Sequence, residues 1–295
     1  MEYVPAKHIV LRNKSTAWFG TDHTMNLYRG CCHGCIYCDS RSDCYRVGDF
    51  DTVRAKANAL ELIRDELRRK TRPGVIATGS MSDPYNPFEA QLELTRRALQ
   101  LVDAYGFGVA IATKSDLVVR DIDILRFIRD HSPVLCKVTV TTTDDALAAK
   151  IEPRAPSPSR RLEAVARLSE AGLFTGVLLM PVLPFLEDSV ESVLRVVDRA
   201  AEAGARFIYP GLGMTMRPGQ REHYLAALER LFPGQGLGER YLRRYGDRYR
   251  CPAQNVRRLW DAFTARCGQL GLLYDMGHII SASQKGYGDR QLSFF

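Results

Sequence analysis

The run Arg29-Gly-Cys-Cys-His-Gly-Cys-Ile-Tyr-Cys38 sets three thiols, Cys31, Cys35 and Cys38, on one short loop at C-x3-C-x2-C spacing. Three thiolates so spaced can bind three irons of a cubane cluster. Such clusters take four Cys ligands as a rule, so the shortfall leaves one iron open to an outside molecule. A structural zinc loop is the plainer alternative. Zinc needs a fourth Cys or His, commonly in paired ligands, and no C-x2-C or H-x3-H pair follows downstream.

Composition fits an enzyme-sized chain in a reducing compartment. The 295 residues are 45% hydrophobic, enough for one large core. Eight cysteines argue for metal chemistry over disulfides, because no export signal is expected in the polar stretch Met1 to Lys14. The longest apolar run, Val177 to Leu186, holds Pro181 and Pro184 and is too short to span a bilayer. A cytoplasmic protein with no membrane partner is the expectation. Net charge is +7, and Arg217 to Arg258 carries ten Arg against Glu222, Glu229, Glu239 and Asp247. Guanidinium forks suit phosphate, although a solvated helical face explains the same charge.

Elements that would position the loop alternate from about residue 52. Val53, Ala57, Leu60, Ile63 and Leu67 share one helical face. Val75–Ser80 reads as a strand, Glu89–Ala104 as a helix and Phe107–Thr113 as a strand. Ile122, Leu125 and Ile128 mark a helix, and Cys136–Thr141 the next strand. Ser157 and Pro158 read as N-cap and first helical residue, with Gly172 as the stop. Phe174–Met180, a helix over Asp188–Ala203 and Ala205–Tyr209 complete the series. With a strand near Asn26, six βα-type units recur about every thirty residues, as parallel βαβ units require. An α/β fold follows: an open six-stranded partial TIM barrel over residues 1–215, with a helical extension over 216–295. Chemistry in such barrels lies at the C-terminal ends of the strands, where the cysteine loop falls.

The cysteine spacing, with Tyr37 just before the last Cys, resembles the signature of the radical S-adenosylmethionine (SAM) superfamily. Within it, the chain is similar to the spore photoproduct lyase group over most of residues 20–212. The similarity rests on Thr78-Gly-Ser-Met-Ser-Asp-Pro-Tyr85, Thr113-Lys-Ser115, Thr141-Thr-Thr-Asp144, Ile151-Glu-Pro153 and Met180-Pro-Val-Leu-Pro184. The resemblance implies a [4Fe-4S] cluster whose open iron is chelated by SAM, and reductive cleavage of SAM to a 5′-deoxyadenosyl radical. It implies SAM contacts from Ser82, Lys114 and Thr141, with Tyr37 packed against the adenine. It also implies a separate electron donor.

Two departures stand out against that group. Ser80 occupies the position of the cysteine that returns a hydrogen atom to the product radical, and an O–H bond is too strong for that task. Asp39 stands where a tyrosine of the hydrogen-transfer relay is expected, so a hydrogen-bonding role in the cluster loop or toward substrate suits it better. Repair of spore photoproduct by the same route is therefore not expected.

Other candidate groups carry weaker signals. Cys136 is expected to point to the barrel bottom and pack the core. Cys32 and Cys44 are close to the cluster in sequence, while Cys251 and Cys267 are too far apart for a second metal site. His33 either shields the cluster or faces solvent, and His278 reads as a core histidine. Arg29 and Arg41 flank the loop, to neutralise the cluster or to form surface ion pairs. The last residues, Gln291-Leu-Ser-Phe-Phe295, resemble the Gln-Leu-x-Leu-Phe peptide that docks on the bacterial sliding clamp, with Phe294 departing from Leu. Together these features favour SAM cleavage directed at a lesion or modified base in nucleic acid, with DNA and the clamp as partners. A small metabolite or peptide substrate is the second reading, and a non-catalytic iron–sulfur DNA-binding or sensing protein the third.

Overall fold

The computed structural model describes residues 1–287, so Gln291–Phe295 and the expected clamp contact lie outside the described residues. Six parallel strands form its centre: β1 (His23–Met25), β2 (Val75–Thr78), β3 (Gly108–Thr113), β4 (Val134–Thr139), β5 (Phe174–Leu179) and β6 (Phe207–Pro210). They pair in chain order, and Val10–Arg12 adds antiparallel to the far edge of β1. β1 and β6 do not pair. The sheet is thus the open six-stranded partial barrel that the element spacing required.

Alternation along each strand sorts the core into two layers. Val109, Ile111, Val134, Cys136, Val138 and Val177 face outward under α1 (Ala59–Arg68), α2 (Leu94–Ala104), α3 (Ile122–Arg129), α4 (Pro158–Glu170) and α5 (Val190–Glu202). Cys136 is therefore mid-strand on the helix-facing side, not at the barrel bottom; it packs the core as expected. Val75, Ala110, Leu135, Leu178 and Phe207 face inward and meet Phe19 and Ile279. Lys137, on the inward register of β4, holds its Nζ 4.4 Å from the Phe19 ring centroid, and burial lowers its pKa to about 7.

Local rules and tertiary pairing agree in one place and part company in two. Ser157 caps α4, accepting from Arg160 N, with Pro158 at its first position. The helix expected from Glu89, by contrast, breaks at Glu93, whose φ is 49°. Its cause is the buried Glu89 carboxylate, which accepts from Thr95 N at 2.9 Å and pairs with Arg120 at 3.0 Å. The helical face begun at Val53 is also corrected. Arg54–Lys56 is a strand between Glu2–Val4 and Tyr28–Arg29, and α1 starts only at Ala59. Backbone pairing with a distant segment overrides a helical spacing that five residues can mimic.

Beyond β6 come α6 (Gln220–Leu231), α7 (Leu237–Tyr245), α8 (Val256–Leu270) and α9 (Met276–Gln284). The extension is not purely helical: Gly213–Thr215 pairs antiparallel with Arg250–Pro252. α8 packs along α5, and Leu273 bonds to the exposed edge of β6 through Ile208 N (2.9 Å) and Arg206 O (3.1 Å). That contact covers an edge which would otherwise invite another strand. No described helix is long and apolar enough to cross a membrane.

Candidate active site at the barrel mouth

Loops leaving the C-terminal ends of β1 to β6 meet on one face, and all the sequence-derived site residues lie there. The cysteine loop after β1 is fixed by backbone bonds from three directions. Cys31 N donates to Phe50 O at 2.8 Å, Ile36 N to Ile151 O at 3.0 Å, and Arg154 N to His33 O at 3.0 Å. Gln220 at the start of α6 adds a bond to the Tyr37 carbonyl at 3.2 Å. Gly79, just after β2, has φ +92°, and a Cβ there would sit 1.9 Å from the Ala112 carbonyl oxygen. Only glycine lets this loop lie so close to β3.

Asp83 is the hub of the β1–β3 side. Its carboxylate accepts from Tyr85 N (2.9 Å), Thr113 Oγ1 (2.6 Å) and Lys114 N (2.7 Å), and lies 3.1 Å from His33 Nε2. Burial pushes its pKa up, but His33 and these donors outweigh that and bring it to about 2. His33 is accordingly a buried strut between cluster loop and β3, not a solvent-facing ring.

Glu152 is the second hub. It accepts from the Tyr37 hydroxyl and from Arg161, and Lys114 Nζ stands 3.9 Å away. Arg161 in turn donates to Pro156 O at 2.6 Å and Thr139 O at 3.1 Å. Burial would lower the Lys114 pKa, yet Cys35 and Glu152 raise it overall, so the ammonium stays charged. Its Nζ lies 5.6 Å from the Tyr37 ring centroid. Burial raises the pKa of Cys31 to about 12 and lifts Cys35 and Cys38 as well, while Lys114 opposes the rise at the latter two.

Thr141 follows β4, and its buried Oγ1 has no hydrogen-bond partner among the described residues. Glu187 lies beside it: Oε2 accepts from Leu183 N at 3.0 Å, while Oε1 is also unpartnered. Burial pushes the Glu187 pKa up to about 8. Ser82 donates to Tyr28 O at 3.1 Å, and Ser80 donates to Asn26 at 3.3 Å on the exposed rim. Asp39 ties the cluster loop to the extension. It accepts from Thr215 Oγ1 at 2.9 Å and Tyr45 OH at 2.8 Å, and lies 3.3 Å from Arg217 Nε.

Several expectations are corrected here. Arg41 is paired with Asp51 at 2.7 Å while its charge still lowers the Cys38 pKa, and Arg29 donates to the Arg46 carbonyl, the surface alternative. His278 is a surface residue on α9, its side chain 78% exposed, because it lies on the face away from Ile279. Cys44 is exposed, 3.7 Å from Arg217, and Cys267 is buried between helices. Sequence reasoning assigned no role to Asp83, Glu152 or Glu187. The first two lie within motifs already singled out, and that was their only signal.

Do these residues fit a cluster and SAM? Among the described residues no three His, Cys, Asp or Glu side chains converge on one ion, as a zinc site would require. A cubane instead takes one sulfur per iron. Cys31, Cys35 and Cys38 are near enough to raise one another's pKa, and a charged lysine faces them. Thr141 and Glu187 lie beside each other near that lysine, and their unpartnered oxygens are ones a bound polar ligand would satisfy. The donor set fits both groups.

A cavity of about 750 Å³ opens beside the loop, within the range of ligand sites. Tyr37, Cys38 and Asp39 line one wall, and Trp18, Met180 and Tyr209 another. The paired strands carrying Met214 and Arg250 close the third.

The Radical SAM superfamily model matches residues 25–197. The chain belongs to that superfamily. Uncharacterized protein Rv2578c of Mycobacterium tuberculosis is 33% identical over 218 residues, which cover 72% of this chain and 64% of that protein. Uncharacterized protein MJ0683 of Methanocaldococcus jannaschii is 34% identical over 57% of this chain and 63% of its own length. The chain thus spans a little under two thirds of the relatives it matches. A spore photoproduct lyase mutant with bound AdoMet and dinucleoside spore photoproduct superposes with TM-score 0.63, at 14% identity, over 92% of this chain and 82% of that one. The radical SAM methyltransferase TsrM of Kitasatospora setae, with tryptophan substrate and a SAM analog bound, gives 0.54 at 12% identity, over 84% of this chain and 51% of that one. At these identities both show a shared radical SAM barrel fold and no more.

Proposed function

We propose that this radical SAM protein cleaves SAM reductively and directs the resulting radical at a lesion or modified base in nucleic acid, with DNA as its main substrate. Cys31, Cys35 and Cys38 would hold a [4Fe-4S] cluster, with Lys114, Thr141 and Tyr37 around SAM. When bound, the cluster supplies an open iron for SAM and the electron for its cleavage. Around it, Lys114 presents a fixed cation to a carboxylate, Thr141 and protonated Glu187 offer hydroxyl groups, and the buried walls exclude water. Ser82 keeps only its acceptor lone pairs free for SAM. Ser80, on the rim, is not expected to return a hydrogen atom. Asp39, bound into the Arg217 network, positions the loop.

The observation that carries the nucleic-acid half is placement. Arg250 lines the same cavity as Cys38, and Arg243, Arg244, Arg248 and Tyr249 lie exposed just before it in the chain. Arg217 and Arg221 are engaged within the fold instead, Arg217 on Tyr249 and Asp39, Arg221 on backbone carbonyls. Protein reconstituted anaerobically and reduced with dithionite is expected to form 5′-deoxyadenosine, faster with a damaged oligonucleotide. Binding should weaken steeply with salt, as counterion release requires. Turnover stimulated by one small metabolite and indifferent to DNA would transfer the reading to the second class. A stable cluster with no 5′-deoxyadenosine would leave only the binding protein.

A further inference from the structure

Trp18 is a large aromatic that the fold holds rigidly yet leaves 47% exposed beside the cavity. It stands edge-on to Phe19 (4.9 Å, 84°) and to Tyr209 of β6 (5.5 Å, 88°). The loop beneath it is locked. Phe19 takes φ 51°, unusual for a bulky residue, and its ring plugs the open side of the barrel against Phe207 and Tyr209. Gln284 of α9 donates to the Gly20 carbonyl at 3.3 Å, and a Cβ on Gly20 would meet that side chain at 2.7 Å. Thr21 Oγ1 donates to the Trp18 carbonyl at 3.0 Å. Unlike Trp260, which is similarly exposed, Trp18 lines the cavity, where a stacking platform must be fixed in advance.

We propose that Trp18 is the platform on which the unstacked base of a nucleic-acid substrate rests, with Arg250 receiving a flanking phosphate. The inference rests on the nucleic-acid reading above and names the wall of the cavity that performs the recognition. Enzymes acting on a base must take it out of its stack, and an aromatic face compensates for the stacking lost. Met180 and Arg250 line the same cavity as Trp18, a mix of apolar and cationic groups that suits a flat ring attached to an anion.

The chain has two tryptophans, so Trp260→Phe makes Trp18 the sole indole reporter. A short single-stranded oligonucleotide added to this reconstituted variant, without SAM, should quench Trp18 emission saturably. Its midpoint should match binding measured independently by anisotropy. Trp18→Ala should weaken that binding about ten-fold and Trp18→Phe much less. An oligonucleotide of the same length with abasic sites should bind without quenching. Tight oligonucleotide binding with unchanged Trp18 emission and an unaffected Trp18→Ala protein would overturn the platform while leaving the nucleic-acid reading intact. Free adenosine quenching as strongly as the oligonucleotide would overturn the assignment of a nucleic-acid base. No DNA binding at all would sink both.

Discussion

On the β1–β4 side of the barrel mouth, two buried carboxylates tie the loops to one another. Asp83 gathers His33, Thr113 and Lys114, while Glu152 gathers Tyr37 and Arg161. On the β5–β6 side the cavity is lined by Trp18, Met180, Tyr209 and Arg250. One side is built to hold charged groups at fixed positions in a dry site, where rigid electrostatics is worth most. The other offers area and a flat face, which tolerate variety in what they bind. On the proposed reading, the first side would hold the cluster and SAM and the second would meet the substrate.

The sharpest way to break this comparison is at the thiols. Cys31→Ser, Cys35→Ser or Cys38→Ser should each reduce 5′-deoxyadenosine formation to background and abolish the cluster's visible absorbance. Retained iron and activity in any one of them would mean that another side chain completes the site. Glu152→Ala comes next. It strands Arg161 in the interior, and losing one partner of a buried pair costs about 3–5 kcal/mol, read as a shift in the denaturant midpoint. Arg250→Ala in the cavity lining should leave stability within about 0.5 kcal/mol. It should instead lower DNA affinity and reduce the salt slope by about 1. Equal stability losses in the two variants would erase the contrast between the walls.

The smallest effects are in pH dependence. Glu187 titrates near 8 in the fold, above an ordinary carboxylate. From the usual carboxylate range up to about pH 8 the native chain therefore holds a proton that the unfolded chain has lost. Raising pH through that window removes stability, by at most about 1.4 kcal/mol per pH unit. Lys137 has the opposite sign, because it is neutral in the fold above about pH 7 while the unfolded lysine stays charged. It adds stability as pH rises from there toward the ordinary lysine range. Glu187→Gln should flatten the first slope and Lys137→Met the second, measured as midpoints across a pH series.

The sequence carried the barrel because apolar runs and amphipathic stretches recur at βαβ spacing, and Ser157-Pro158 is a start signal that needs no tertiary help. Val10–Arg12 and Arg54–Lys56 escaped it, since a three-residue strand has no period to detect and exists only through its partner. The thiols were legible because all three lie within eight residues. Glu152 was not, since its partner Tyr37 is 115 positions away, nor was Asp83 with His33 in another loop. Trp18 acquires meaning only when β6 brings Tyr209 beside it. Charge counting also overstated the extension, where Arg221 is spent on the carbonyls of Gly246 and Arg248.

Asp39 follows the third cysteine directly, and the hydroxyl it accepts from, on Thr215, lies 176 positions later in the chain. Nascent protein that has released only the first barrel strands therefore cannot set this loop in its final shape. That shape is complete only once Gly213–Thr215 has paired with Arg250–Pro252.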